Sequence, residues 1–115
     1  MFEATHVIAL RHGQTAYNAT QRIQGHLDIG LDDTGHWQAR RLGAALADAG
    51  LAAVHSSDLA RARDTAAAVA AASGLPLALH TDLRERHFGA LEGLSYAEIE
   101  ARFPDDARRW RQREP

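Results

Sequence analysis

The sequence predicts an α/β fold built on a parallel, doubly wound sheet. Short apolar runs alternate with longer stretches of helical periodicity, the pattern of successive βαβ units. Each apolar run is followed by a polar loop or turn. The two long ones contain glycine, and in such sheets ligands sit outside the carboxyl ends of the strands. No internal repeat or low-complexity linker interrupts the chain, so its 115 residues are read as one unit, 1–115.

The first apolar run, residues 6–10, stops abruptly at Arg11, His12 and Gly13 and reads as a buried strand ending in a loop. The loop runs to Leu31. It carries the polar residues Thr15, Asn18, Gln24 and Asp28 with Gly25, and enough apolar ones (Tyr17, Ile23, Leu27, Ile29) to pack. Asp32 or Asp33 is placed to cap a helix reaching about Ala49, with Ala39, Leu42, Leu46 and Ala49 on one face and Gly50 as its stop. A short second strand follows at about 52–55. Ser56, Ser57 and Asp58 then form a turn whose Asp58 can cap the next helix, 59–73. That helix sets Leu59, Ala62, Ala66, Val69 and Ala70 on one side, and Gly74 and Pro76 end it. A third strand is expected at 77–80 and a second long loop at 81–93. Ser95 and Glu98 form a capping box for a helix through about Arg102, with Ile99 and Phe103 facing inward. Pro104 ends it, and Asp105 can start a last, very polar helix carrying Trp110. Three short strands make a narrow sheet, and a βαβ domain ending on a charged helix looks unfinished.

Composition narrows the function classes. A hydrophobic content of 45% with 24% charged residues is that of an ordinary globular protein. Arginine supplies all 13 basic residues against 15 acidic ones, for a formal net charge of −2, and the arginines form no basic run with interleaved aromatics. Nucleic acid is therefore not an expected partner. The absence of cysteine excludes disulfides, thiolate metal sites and a cysteine nucleophile. No stretch approaches membrane-spanning length, and the N-terminus lacks the basic and apolar regions of a signal peptide. A reduced cytoplasmic setting is expected.

The chemistry concentrates at three places, each after an expected strand. Arg11 offers a planar fork of donors suited to phosphate oxygens. His12 can act as nucleophile, base or ligand near neutral pH. Gly13 lets the backbone approach a ligand closely. A tripeptide alone recurs by chance, but Thr15 and Asn18 add small polar groups to the same loop. Arg61 falls in the first turn of the helix after the second strand, where free amides and the helix dipole already favour an anion. Glu85, in the loop after the third strand, is a candidate general acid for a leaving oxygen. Glu92 is a rival, but it directly precedes the capped helix and reads as structural. The seven histidines are dispersed without the spacing of a metal site, and phosphate-loop and dinucleotide fingerprints are absent.

Together these stretches resemble the histidine phosphatase superfamily, in its branch of cofactor-dependent phosphoglycerate mutases and related phosphatases. The resemblance runs through Leu10-Arg11-His12-Gly13-Gln14-Thr15 with Asn18, and Arg22-Ile23-Gln24-Gly25 with Asp28. It continues through Leu31, Gly35 and Gln38-Ala39, then Ser56-Ser57-Asp58-Leu59 with Arg61-Ala62 and Thr65-Ala66. It closes with Leu83-Arg84-Glu85, Phe88-Gly89 and Glu92-Gly93. The fold this implies is a three-layer α/β/α, phosphoglycerate mutase-like sheet, incomplete at the C-terminus. His12 would be the nucleophile, forming a phosphohistidine. Arg11 and Arg61, with Asn18, would grip the phosphoryl group, and Arg63 matches a second arginine of some branches. Gly13, Thr15, Gln24 and Gly25 would line the pocket, and Glu85 would protonate the leaving group. Neither a metal nor a diffusible cofactor is needed for hydrolysis.

Two departures stand out. The family's proline before Leu31 is Gly30 here. The family's second catalytic histidine, followed by glycine after a later strand, has no counterpart, and His87 lies in a different motif. The chain is thus expected to be the N-terminal part of a single histidine phosphatase domain. Its expected activity is phosphomonoester hydrolysis on a small phosphorylated metabolite, with inorganic phosphate released. Mutase-type phosphoryl transfer and a non-catalytic phosphate-binding module are the alternatives. Unpaired sheet edges leave a homo-oligomer open as a further partner class.

Overall fold

The computed structural model describes residues 4–112. Its elements, in order, are α1 (Ala16–Ala19), α2 (Asp33–Leu46), β1 (Val54–Ser56), α3 (Ala60–Ser73), β2 (Leu77–Leu79), α4 (Tyr96–Arg102) and α5 (Pro104–Arg111). Single 3₁₀ turns lie at Thr81–Leu83 and Gly89–Leu91.

β1 and β2 pair in parallel, Val54 opposite Leu77 and Ser56 opposite Leu79, with α3 as the crossover between them. The amide of His80 extends the ladder to the Ser56 carbonyl at 2.8 Å. This is the expected α/β unit. The expected first strand at 6–10 does not form. Residues 4–10 make no ladder among the described residues, and Val7, Ile8 and Leu10 are exposed. A strand is defined by a neighbouring backbone rather than by its own apolar run, and these residues pair with none of the described elements.

Local signals account for most helix boundaries. The Asp32 carboxylate accepts the Gly35 amide at 2.7 Å and caps α2. That helix ends at Leu46 rather than Ala49, because the chain tightens into a turn in which the Ala49 amide reaches the Leu46 carbonyl. Gly74 takes a left-handed conformation (φ 69°) at the end of α3, and the amides of Gly74 and Leu75 close back on Ala71 and Ala70. The Ser95–Glu98 capping box opens α4 as expected. Two boundaries differ. Asp58 does not cap α3; its carboxylate is taken by Arg84, and the Ala60 amide instead donates to Asp28 at 2.7 Å, from the distant first loop. Within that loop, Thr15 and Asn18 make a capping box of their own and start α1.

Two apolar clusters hold the structure. Val54, Val69 and Ala70 pack with Leu42, Leu46, Leu75 and Leu77, joining the sheet to α2 and α3. The helices meet closely at Gly43, where a Cβ would stand 2.7 Å from the Ala68 carbonyl oxygen. Ile23, Ile99 and Ala107 form the second cluster with Phe88, Leu91, Leu94 and Phe103. Ile23 exchanges backbone bonds with the 93–94 segment, and Arg22 donates to the Gly93 carbonyl and Glu98. The two long loops are therefore fastened to each other, which brings the segments bearing Gln24 and Glu85 together.

Candidate active site

His12 opens the site at the start of the first loop. Its Nδ1 lies 2.7 Å from the Gly13 carbonyl oxygen. A carbonyl only accepts, so Nδ1 carries the hydrogen. In the neutral ring, Nε2 then presents an unshared lone pair. A cavity of about 430 Å³ is lined by His12 with Arg11, Gly13, Gln14 and Asn18 of the first loop and Gln38, Ala39, Leu42 and Thr65 of α2 and α3.

The backbone at 13–14 is fixed by a close approach to the first turn of α2. A Cβ on Gly13 would sit 2.5 Å from the Gly35 carbonyl oxygen, and one on Gly35 would sit 2.0 Å from that of Gln14. Only a pair of glycines permits this contact. Hydrogen bonds complete it: the Asp32 amide donates to the Gln14 carbonyl at 3.0 Å, the Gln14 side chain donates to Asp32, and the Gln14 amide donates to the Gln38 side chain. The donation from Gln14, with that of the Gly35 amide, holds the Asp32 carboxyl below its ordinary range. The Gly13 amide donates to Thr65 Oγ1 at 2.9 Å, and that hydroxyl donates to the Arg61 carbonyl. Thr65, buried and one turn after Arg61, thus links α3 to the residue beside His12.

Arg61 is 2% exposed, and its guanidinium donates to the carbonyls of Leu27 (2.7 Å) and Gly25 (2.6 Å). A buried cation must satisfy its donors, and these carbonyls do so. Burial lowers its pKa, against the attraction of Glu85, Asp28 and Glu92. Gly25, at φ 52°, is buried against Glu92, whose carboxylate a Cβ there would meet at 2.5 Å. Gln24 accepts the Thr15 hydroxyl at 2.7 Å, and Thr15 is fully buried.

The expected site residues therefore separate. Arg11, His12, Gly13 and Asn18 share the cavity. Thr15, Gln24, Gly25 and Arg61 form the hydrogen-bonded framework of the loop and α3 and do not line it. Arg63 is exposed, donates to Asp64 at 3.2 Å and lies outside the cavity. Glu85 is exposed in the adjoining loop, its carboxylate accepting the Arg86 amide. Glu92 is structural, as its place before α4 suggested. Burial pushes its pKa up, but the amides of His26 and Phe88 donate to it and leave the net shift downward. Gln14, Gln38 and Thr65 are the contributors to which sequence reasoning assigned no role. Only Thr65 carried a signal, its one-turn spacing from Arg61. Among the described residues no helix is long and apolar enough to cross a membrane, and no group of three or more candidate ligands gathers to hold a metal.

Most of the chain's length matches known proteins. Residues 7–115 match the family model described as histidine phosphatase superfamily (branch 1). Over 105 residues the chain is 44% identical to glucosyl-3-phosphoglycerate phosphatase of Mycolicibacterium vanbaalenii, covering 91% of this chain and 47% of that one. Over 94 residues it is 46% identical to phosphoglycerate mutase-like protein 4 of Arabidopsis thaliana, covering 80% and 41% respectively. The structure superposes on a mycobacterial glucosyl-3-phosphoglycerate phosphatase solved with VO3, at a TM-score of 0.83 and 41% identity, over 87% of this chain and 50% of that one. The chain spans about half the length of the relatives it matches. A sequence matched over nearly its whole length, folded as its relatives fold, with Arg-His-Gly among the residues lining its cavity, belongs to the histidine phosphatase superfamily, branch 1.

Proposed function

We propose that residues 1–115 form the N-terminal, nucleophile-bearing part of a single histidine phosphatase domain. The whole protein would hydrolyse phosphomonoesters of a small phosphorylated metabolite through a phosphohistidine on His12. The observation that carries this reading is the His12 Nδ1 contact with the Gly13 carbonyl, which leaves Nε2 without a hydrogen-bond partner among the described residues, on a side chain that lines a cavity with Arg11 and Asn18. Nε2 attacks phosphorus in line. The P–O bond to the leaving group breaks, its electron pair goes to the leaving oxygen, and Glu85 supplies the proton. Guanidinium groups hold the charge of the equatorial oxygens: Arg11, which lines the cavity, and Arg61, whose side chain must first turn from the Gly25 and Leu27 carbonyls. Water then attacks the phosphohistidine, giving a proton to the Glu85 carboxylate; the P–N bond breaks, its electron pair returns to His12 Nε2, and inorganic phosphate is released. The relatives named as phosphatases support hydrolysis over mutase-type transfer.

The test is phosphate release by the full-length protein from a panel of small phosphomonoesters, with an acid-labile phosphoprotein trapped alongside. Wild type should give both and His12→Ala neither. Interconversion of 3- and 2-phosphoglycerate without net phosphate release would favour the mutase. Ligand affinity that survives His12→Ala, with no phosphoprotein from wild type, would favour a binding module.

A further inference from the structure

We infer that His26 is a positioning residue for Glu85, its imidazole bridging the first loop to the loop that carries the acid. The inference rests on the reading of Glu85 as proton donor. His26 Nε2 lies 2.7 Å from the Glu85 carbonyl oxygen. That oxygen only accepts, so Nε2 carries the hydrogen. In the neutral ring, Nδ1 is then an acceptor, and His87 Nδ1, 3.1 Å away, must donate to it. The rings meet edge to face, with centroids 4.6 Å apart. His87 turns its other nitrogen toward Glu92 Oε1 at 3.8 Å, the same oxygen that accepts the backbone amides of His26 and Phe88, each at 3.1 Å. One carboxylate thereby fixes both flanks, and the His26 ring spans between them.

The neighbouring Arg84 pairs with Asp58, but Glu85 itself makes few other bonds. Residues 81–87 are exposed, and its carboxylate accepts only the next residue's amide. Among the described residues, its hydrogen bond to His26 is the one it makes to another segment. A general acid must come within hydrogen-bond reach of the leaving oxygen, and a misplacement of about 1 Å can reduce rate by ~10²-fold. Gly25 and Leu27 flank His26 and accept the Arg61 guanidinium. The same segment therefore orients the candidate acid and anchors the buried arginine.

The test uses the full-length protein and the single-turnover rate of His12 phosphorylation from two donors. Phosphoserine leaves as an alkoxide that needs the proton; p-nitrophenyl phosphate leaves as a phenolate that needs little of it. His26→Ala should slow phosphorylation from phosphoserine by about tenfold and from p-nitrophenyl phosphate by less than about threefold, with KM unchanged. His26→Gln, whose amide can donate to the Glu85 carbonyl, should restore most of the loss. Equal slowing with both donors, or no change in His26→Ala, would overturn the inference. Wild type that phosphorylates from neither donor would defeat the hydrolase reading instead. The contact is then judged by the imidazole ¹⁵N spectrum, where His26 should be protonated at Nε2; a ring protonated at Nδ1 would overturn it.

Discussion

Placing a methyl group on Gly35 should loosen the site without touching His12. A Cβ there would stand 2.0 Å from the Gln14 carbonyl oxygen, where ordinary contact begins at 3.4 Å, so the two backbones must part by about 1.4 Å. Neither partner is a flexible side chain. In an open helix, Gly→Ala stabilises by about 1 kcal/mol. Here overpacking opposes it by about 1–3 kcal/mol. Separation also weakens the bonds from the Asp32 amide to Gln14 and from the Gln14 side chain to Asp32, each worth about 1 kcal/mol. The balance is a net loss of about 2 kcal/mol, or roughly 4–8 °C in the Tm of a protein about twice this chain's length. Because Gly13 abuts the same turn and accepts from His12, the nucleophile should be displaced, and phosphorylation should fall about 10²-fold for a shift near 1 Å. Thermal unfolding and phosphoenzyme formation are the assays, with Gly30→Ala as control, since nothing lies within 4 Å of its would-be Cβ. The control should move stability by no more than about 0.5 kcal/mol. A Gly35→Ala protein as stable as wild type, or more so, would refute the close-contact reasoning.

Other perturbations separate the framework from the chemistry. Thr65→Val leaves the buried Gly13 amide without its acceptor and should destabilise by about 1–3 kcal/mol in chemical denaturation, while Thr65→Ser should be far milder. Asp28→Ala removes the side chain that caps α3 and should cost about 1 kcal/mol. Asp58→Ala, which breaks only a partly exposed pair with Arg84, should stay below that. Glu92 has a folded pKa below its ordinary value of 4.5, so its contribution is fully present above that value and is lost as pH falls through the depressed one. Glu92→Gln should flatten the acid limb of stability below pH 4.5, measured by denaturant midpoints across pH; an unchanged acid limb would contradict the assignment.

What could be seen in the sequence follows the reach of each signal. Helix ends written in a few adjacent residues, such as Asp32 before Gly35, Gly74 after α3 and Ser95 with Glu98, were legible because cap and amide are neighbours in the chain. Asp58 stood in a capping position but was claimed by Arg84 at 26 residues' separation, and Asp28 took its place from 32 residues away. No local pattern reports such a competition. Residues 6–10 carry strand propensity, yet a ladder depends on a partner elsewhere. At the site, the residue types pointed to His12 and its loop, whereas the division of labour did not show. Thr15 and Asn18 look like phosphate ligands in sequence, yet they also form a capping box. Arg61 looks like a surface helix arginine or an anion grip, and its side chain is bound to two loop carbonyls that only the fold brings within reach.

In the proposed reaction His12 acts through Nε2, because Nδ1 is committed to the Gly13 carbonyl. The position of phosphate on the trapped intermediate tests it most directly. After a rapid alkaline quench of the full-length protein with a phosphomonoester, ³¹P–¹⁵N coupling and peptide mass spectrometry should place the acid-labile phosphate on Nε2 of His12. Phosphate on Nδ1, or on any other residue, would contradict the assignment of Nε2 as nucleophile.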